Sequence, residues 1–123
     1  MDQKHIVIVD DDTTFRLMLR KMLEAAGYRV SEAKNALGVF NLSAYDLMLL
    51  DIQMPGIDGY KILASLKEDK ACTAPIIVLT GMSDPSYKIR ALDEGADAFV
   101  TKPVNQEMLL GRISELLARA PAK

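Results

Sequence analysis

Short apolar runs recur along this chain, and each stops abruptly at polar residues. Ile6-Val7-Ile8-Val9 ends at Asp10-Asp11-Asp12, Leu47-Met48-Leu49-Leu50 at Asp51, and Ile76-Ile77-Val78-Leu79 at Thr80-Gly81. Runs of this length bounded by turn residues predict strands buried on both faces. Residues 28–31 alternate like a second strand with a wetter face, and residues 96–100 read as a fifth, less apolar strand before Thr101-Lys102-Pro103. Between these runs the period lengthens. Phe15, Met18, Leu19, Met22, Leu23 and Ala26 share one helical face, with Asp12 as N-cap and Gly27 as the stop, while Arg16, Arg20, Lys21 and Glu24 lie mostly elsewhere around that helix. Ile62, Leu63 and Leu66 predict a helix over 60–68. Asp84 and Pro85 predict the start of another, with Ile89 and Leu92 facing inward and Gly95 ending it. A last helix begins near Asn105 and carries Leu109, Ile113, Leu116 and Leu117. Residues 35–43 could line a short helix through Ala36, Leu37, Val39, Phe40 and Leu42, although Gly38 in its middle costs about 1 kcal/mol relative to Ala.

Strand and helix thus alternate five times, which predicts an α/β fold. Five parallel strands, joined by right-handed crossovers, carry helices on both faces. The second of the five helices is expected to be short or irregular. At 123 residues, half of them hydrophobic and about a quarter charged, the chain reads as one folded domain with a core over about 4–118 and a tail over 119–123. The formal charge of −2 gives no strong attraction to nucleic acid or anionic membrane. No apolar run approaches the roughly 18 residues that a spanning helix needs. Cys72 is the only cysteine and His5 the only histidine, which excludes an internal disulfide and a histidine–cysteine metal cluster. The single thiol fits a reducing cytoplasm.

The candidate chemistry lies where the strands end. All strands of a parallel sheet point their carboxyl ends to one edge, so that edge gathers Asp10 and Asp11, Asp51, Thr80 and Lys102. Three crowded carboxylates repel unless neutralised, and a hard divalent cation such as Mg²⁺, bound through oxygen, meets that need. Lys102 adds a point charge and Thr80 a hydroxyl donor for a phosphoryl oxygen; Gly81 leaves room for a group to approach. A carboxylate at the centre of such a site can act as a nucleophile toward phosphorus. Asp12 needs no role beyond capping.

These motifs carry a family resemblance. Val9-Asp10-Asp11-Asp12, Leu50-Asp51-Ile52-Gln53-Met54-Pro55-Gly56-Ile57-Asp58-Gly59, Leu79-Thr80-Gly81 and Phe99-Val100-Thr101-Lys102-Pro103 match, in order and spacing, the receiver domain of bacterial two-component response regulators. The likeness covers essentially the whole chain and implies a flavodoxin-like doubly wound sheet. It further implies that Asp51 accepts a phosphoryl group from the phosphohistidine of a histidine kinase or histidine phosphotransfer protein. Asp11 would bind Mg²⁺ directly, Asp10 largely through water, Asp51 from the acceptor side and Gln53 through its backbone carbonyl. Thr80 and Lys102 would contact the attached phosphoryl group, and Phe99 would swing inward as Thr80 is drawn to it. An output domain or partner would then use the face made by the fourth helix, fifth strand and fifth helix, roughly 85–118. Such a domain assists its own phosphorylation and slow dephosphorylation but turns over no external substrate. It would be a stand-alone regulator or part of a longer one.

Two departures stand out: the segment 35–43 is about a turn short, and Phe99 replaces the commoner Tyr. Three other readings compete. A flavin-binding protein of the same architecture needs a Gly, Ser and Thr phosphate cradle where this chain has three aspartates. A haloacid-dehalogenase-like phosphatase places a second acid two residues after its nucleophile, where this chain has Gln53. A receiver-like interaction module that is never phosphorylated usually lacks part of the acid, Asp, Thr and Lys set.

Overall fold

The five apolar segments form five strands: β1 (His5–Val9), β2 (Arg29–Ala33), β3 (Leu47–Asp51), β4 (Ile76–Thr80) and β5 (Ala98–Thr101). They lie side by side in the order β2-β1-β3-β4-β5, and every pair is parallel. The computed structural model describes residues 3–33, 45–53, 59–68, 74–81 and 85–119. Four helices occur among the described residues: α1 (Thr13–Ala25), α2 (Gly59–Glu68), α3 (Pro85–Asp93) and α4 (Gln106–Arg119). The fifth expected helix, over 35–43, lies outside them.

Strand alternation splits the core into two layers. Val7, Val9, Met48, Leu50, Ile76 and Val78 face one side and pack with Ile62, Leu63 and Leu66 of α2 and Ala91 of α3. Ile6, Ile8, Leu47, Leu49, Ile77 and Leu79 face the other and pack with Leu19 and Leu23 of α1 and Leu109, Ile113 and Leu116 of α4. This is the doubly wound arrangement expected from the sequence. β3 lies at its centre, with Leu47 to Leu50 all fully buried. Each such side chain contributes about 1.5–3 kcal/mol, so the strand that delivers Asp51 has little freedom to shift.

Several helix ends follow the predicted chemistry. The Asp12 side chain accepts the Phe15 N–H at 3.1 Å, and the Asn105 side chain accepts that of Met108 at 2.9 Å. Gly27 and Gly95 adopt positive φ angles of 96° and 111° beyond the ends of α1 and α3. Tyr28 N–H reaches back to Leu23 O at 3.1 Å and Ala96 N–H to Ala91 O at 3.0 Å, closing both helices in the motif for which glycine is suited.

Three expectations need correction. Ile89 and Leu92 do not face inward but are 60% and 43% exposed, because a helix opening at Pro85 turns Tyr87 and Ala91, four residues apart, to the core. In α1, Met18 is 44% exposed and Arg16 is buried. Arg16 lies inside because its guanidinium donates to the Asp10 carbonyl and, at 3.0 Å, to Glu32. β5 begins at Ala98 rather than 96; Asp97, just before it, donates its N–H to Ile76 O at 2.9 Å, while its carboxylate accepts Ile76 N–H at 2.8 Å and Lys67 Nζ at 2.7 Å, so a side chain takes the place of a second backbone partner.

Glu32 on β2 also takes Arg20 Nη1 at 2.6 Å. The Arg20 hydrogen bond, helped by that from Arg16 and opposed by burial, holds the Glu32 carboxyl below the ordinary glutamate range. Its contribution is therefore complete above the unfolded-state pKa, about 4.3, and is lost as the pH falls through the lower folded value. Glu32→Gln should cost about 1–2 kcal/mol at neutral pH. Urea denaturation at several pH values should show the gap to the native chain closing below about pH 4; a gap that stays constant with pH would refute the assignment.

Candidate functional site

The chain runs from β1 to β2 on one side of the sheet and resumes with β3 on the other, leaving a crevice beyond the carboxyl ends of β1 and β3. Asp10 follows β1 and is fully buried; Asp51 closes β3 and is 3% exposed. Asp11, beside Asp10, is open to solvent. One carboxylate oxygen from each of Asp10, Asp11 and Asp51 falls within 4.8 Å of the others.

Lys102, one residue beyond β5, enters from the far side. Its Nζ lies 3.0 Å from Asp10 Oδ2 and 3.3 Å from Asp51 Oδ2. Burial opposes the charge on Lys102, but the hydrogen bond to Asp10 and the charges of Asp51 and Asp10 outweigh it and raise its pKa. The ammonium consequently stays charged across the neutral range. Burial raises the Asp10 pKa. The Asp12 N–H, at 2.8 Å from Asp10 Oδ1, and Lys102 pull it back only in part, and the neighbouring Asp51 charge adds to the rise. A single ammonium among three carboxylates leaves the pocket with surplus negative charge and oxygen donors only.

Thr80, fully buried at the end of β4, completes the rim. Its hydroxyl donates to Gln53 Oε1 at 2.5 Å, and the N–H of Gly81 donates to the same oxygen at 2.6 Å. Gln53 N–H in turn donates to Asp51 Oδ1 at 2.8 Å. The structure therefore brings Asp10, Asp11, Asp51, Gln53, Thr80 and Lys102 to one edge. Phe99 stands further back. It is in register with Val78, two residues before Thr80, and is half-buried on the same face of the sheet as Val78.

Residues 6–114 match the response regulator receiver domain family. The chain belongs to that family. As a receiver domain it is a phosphoryl-accepting switch of two-component signalling, and the flavin and phosphatase readings fall away. The receiver is 39% identical over 120 residues to the phosphate regulon transcriptional regulatory protein PhoB of Pseudomonas aeruginosa, covering 94% of this chain and 52% of that protein. It is 36% identical over 126 residues to the transcriptional regulatory protein ResD of Bacillus subtilis, covering 98% and 52%. Among solved structures, a response regulator from Chloroflexus aurantiacus superposes with a TM-score of 0.88 at 34% identity, covering 96% of this chain and all of that one. The receiver spans about half the length of the curated relatives it matches. No helix among the described residues is long and apolar enough to cross a membrane.

Three contributors to the receiver site escape sequence reasoning. The helical period places Phe15 only on the core face, yet its ring centroid lies 4.1 Å from Lys102 Nζ and flanks the ammonium. Arg16 ties the Asp10 carbonyl to β2 through Glu32. The Gln53 side chain, rather than its backbone alone, reaches Thr80. The first two have a usable signal, since they sit three and four residues after Asp12 in the first turn of a helix that the acidic loop must enter.

Proposed function

We propose that Asp51 is the phosphoryl acceptor, and that a histidine kinase or histidine phosphotransfer protein is the donor. The observation that carries this reading is the position of Asp51 at the end of the central strand, where it is bonded to Lys102 Nζ at 3.3 Å and linked through Gln53 to the Thr80 and Gly81 donors. An Asp51 carboxylate oxygen attacks phosphorus, the bond from phosphorus to the donor's imidazole nitrogen breaks, and that nitrogen keeps the electron pair. Lys102 neutralises charge on one side of the phosphoryl group, and Thr80 Oγ–H and Gly81 N–H donate on another.

The donor set fits a hard divalent cation such as Mg²⁺: oxygens from Asp10, Asp11 and Asp51 are clustered, one is solvent-facing, and the pocket has surplus negative charge. Asp10, Asp11, Asp51 and the Gln53 carbonyl would hold it. When bound, such an ion shields the carboxylate from the incoming phosphoryl oxygens. The domain acts on itself and serves no external turnover.

Phosphorylation adds about −1.5 to −2 charge at this edge, which can alter a distant surface only by biasing an element with two arrangements. Thr80 is the sensor and Phe99, on the same face of the sheet, the follower. The readout face is α3, β5 and α4, where Ile89, Leu92 and Met108 stand exposed for an output domain or partner. Adding beryllofluoride, a phosphoryl mimic, with Mg²⁺ should shift amides across 85–118 in the native chain, and a chelator should reverse the change. Thr80→Ala should still take up the mimic but show less than half of those shifts. Equal shifts in both proteins would remove Thr80 as the coupling residue.

A further inference from the structure

Gln53 is exposed, yet its side chain is not loose. Its backbone N–H is fixed on Asp51 Oδ1, and its Oε1 reaches across to accept from both Thr80 Oγ1 and Gly81 N. A backbone N–H can only donate, so the atom facing Gly81 is the amide oxygen and not the amide nitrogen. One neutral oxygen thus takes the same two donors that a phosphoryl oxygen on Asp51 requires.

We propose that the Gln53 carboxamide oxygen is a built-in occupant of the oxyanion subsite formed by Thr80 and Gly81, and that an oxygen of the incoming phosphoryl group must displace it. The inference rests on Asp51 being the acceptor. Hydrogen bonds to a charged oxygen are roughly twice as strong as those to a neutral one, so a phosphoryl group covalently held at Asp51 displaces the amide, and the amide returns after hydrolysis. Gln53 is in this sense a positioning residue. It gives the Thr80 hydroxyl an acceptor on the β3 side before any phosphate arrives, so the switch is driven by the difference between two acceptors and not by the full value of a new bond.

The test uses Gln53→Met, which keeps length but has no oxygen to offer, together with Gln53→Ala and Gln53→Glu. Beryllofluoride affinity in excess Mg²⁺ and the rate of labelling by acetyl phosphate are measured for each, with thermal denaturation confirming that each is folded. A net hydrogen bond is worth about a fivefold change in an equilibrium constant, so removing two should tighten beryllofluoride binding by about five- to twenty-five-fold in both Gln53→Met and Gln53→Ala. Labelling should speed up in the same direction. Without any ligand, the Gly81 amide proton should lose its hydrogen-bonded shift in both variants. Gln53→Glu, which grips the donors harder and repels the anion, should bind at least about tenfold more weakly. Equal or weaker binding by Gln53→Met and Gln53→Ala, or tighter binding by Gln53→Glu, overturns the proposal while leaving Asp51 as acceptor. Failure of the native chain to be labelled at Asp51 removes the underlying reading and the proposal with it.

Discussion

Acetyl phosphate with Mg²⁺ should add one phosphoryl group to the native chain and none to Asp51→Asn, a loss of at least about 100-fold in labelling rate. The substitution preserves shape, and the Asn carbonyl can still accept the Gln53 N–H that now meets Asp51 Oδ1 at 2.8 Å. What disappears is the anionic oxygen proposed to attack phosphorus. Neither neighbouring acid can replace it. Asp10 is fully buried and engaged by both Asp12 N–H and Lys102, and Asp11 is solvent-exposed. The same change removes a negative charge that raises the Asp10 pKa, so Asp51→Asn should also gain about 1 kcal/mol of stability in metal-free buffer. Intact-mass measurement and urea denaturation read the two effects separately. Undiminished labelling of the variant would eliminate Asp51 as the acceptor.

Lys102→Met should be the most damaging single change to stability at this edge. It leaves Asp10 and Asp51, with side chains 0% and 4% exposed, without their ammonium. Removing one partner of a buried ion pair costs about 3–5 kcal/mol, and the partial exposure of Lys102 places this case near 3. The deficit runs with pH in the same direction as that of Glu32→Gln, although its cause differs. Burial already raises the Asp10 pKa, and losing Lys102 removes a lowering influence, so the folded carboxyl titrates further above its unfolded value. The deficit is then full above that raised pKa and vanishes as the pH falls below about 3.9, where the carboxyl is protonated in both states. Mg²⁺ should restore part of the loss at neutral pH, about 2.7 kcal/mol when present at a hundred times its dissociation constant. A variant as stable as the native chain, with no response to pH or Mg²⁺, would mean that the ion pairs contribute nothing.

The sheet was legible because strands buried on both faces leave unbroken apolar runs, and β1, β3 and β4 are such runs. The polar residues that stop them marked the site for the same reason: a parallel sheet collects all its strand ends on one edge. Helix faces were harder to assign. Ile89 and Leu92 have a core composition, but the register of α3 is set by where Pro85 starts it, and Ala91 carries too little hydrophobic signal to reveal the inner stripe. Arg16 escapes the sequence because a charged residue reads as solvent-facing until its partners, the Asp10 carbonyl and Glu32, are known. The Gln53 side chain was invisible for a related reason. Its partners Thr80 and Gly81 are 27 and 28 residues away, and no local pattern reports such a pairing.

Lys102 and Asp10 are 92 residues apart in the chain, and the strands that carry them are separated by β3 and β4. During synthesis, the acidic cluster of β1 and β3 leaves the ribosome well before its countercharge exists. A nascent chain that has not yet docked β5 therefore holds a cluster of uncompensated carboxylates and lacks the ammonium proposed to steady a bound phosphoryl group. On the proposed reading, competence to receive a phosphoryl group arises only when the first and last strands have joined the same sheet.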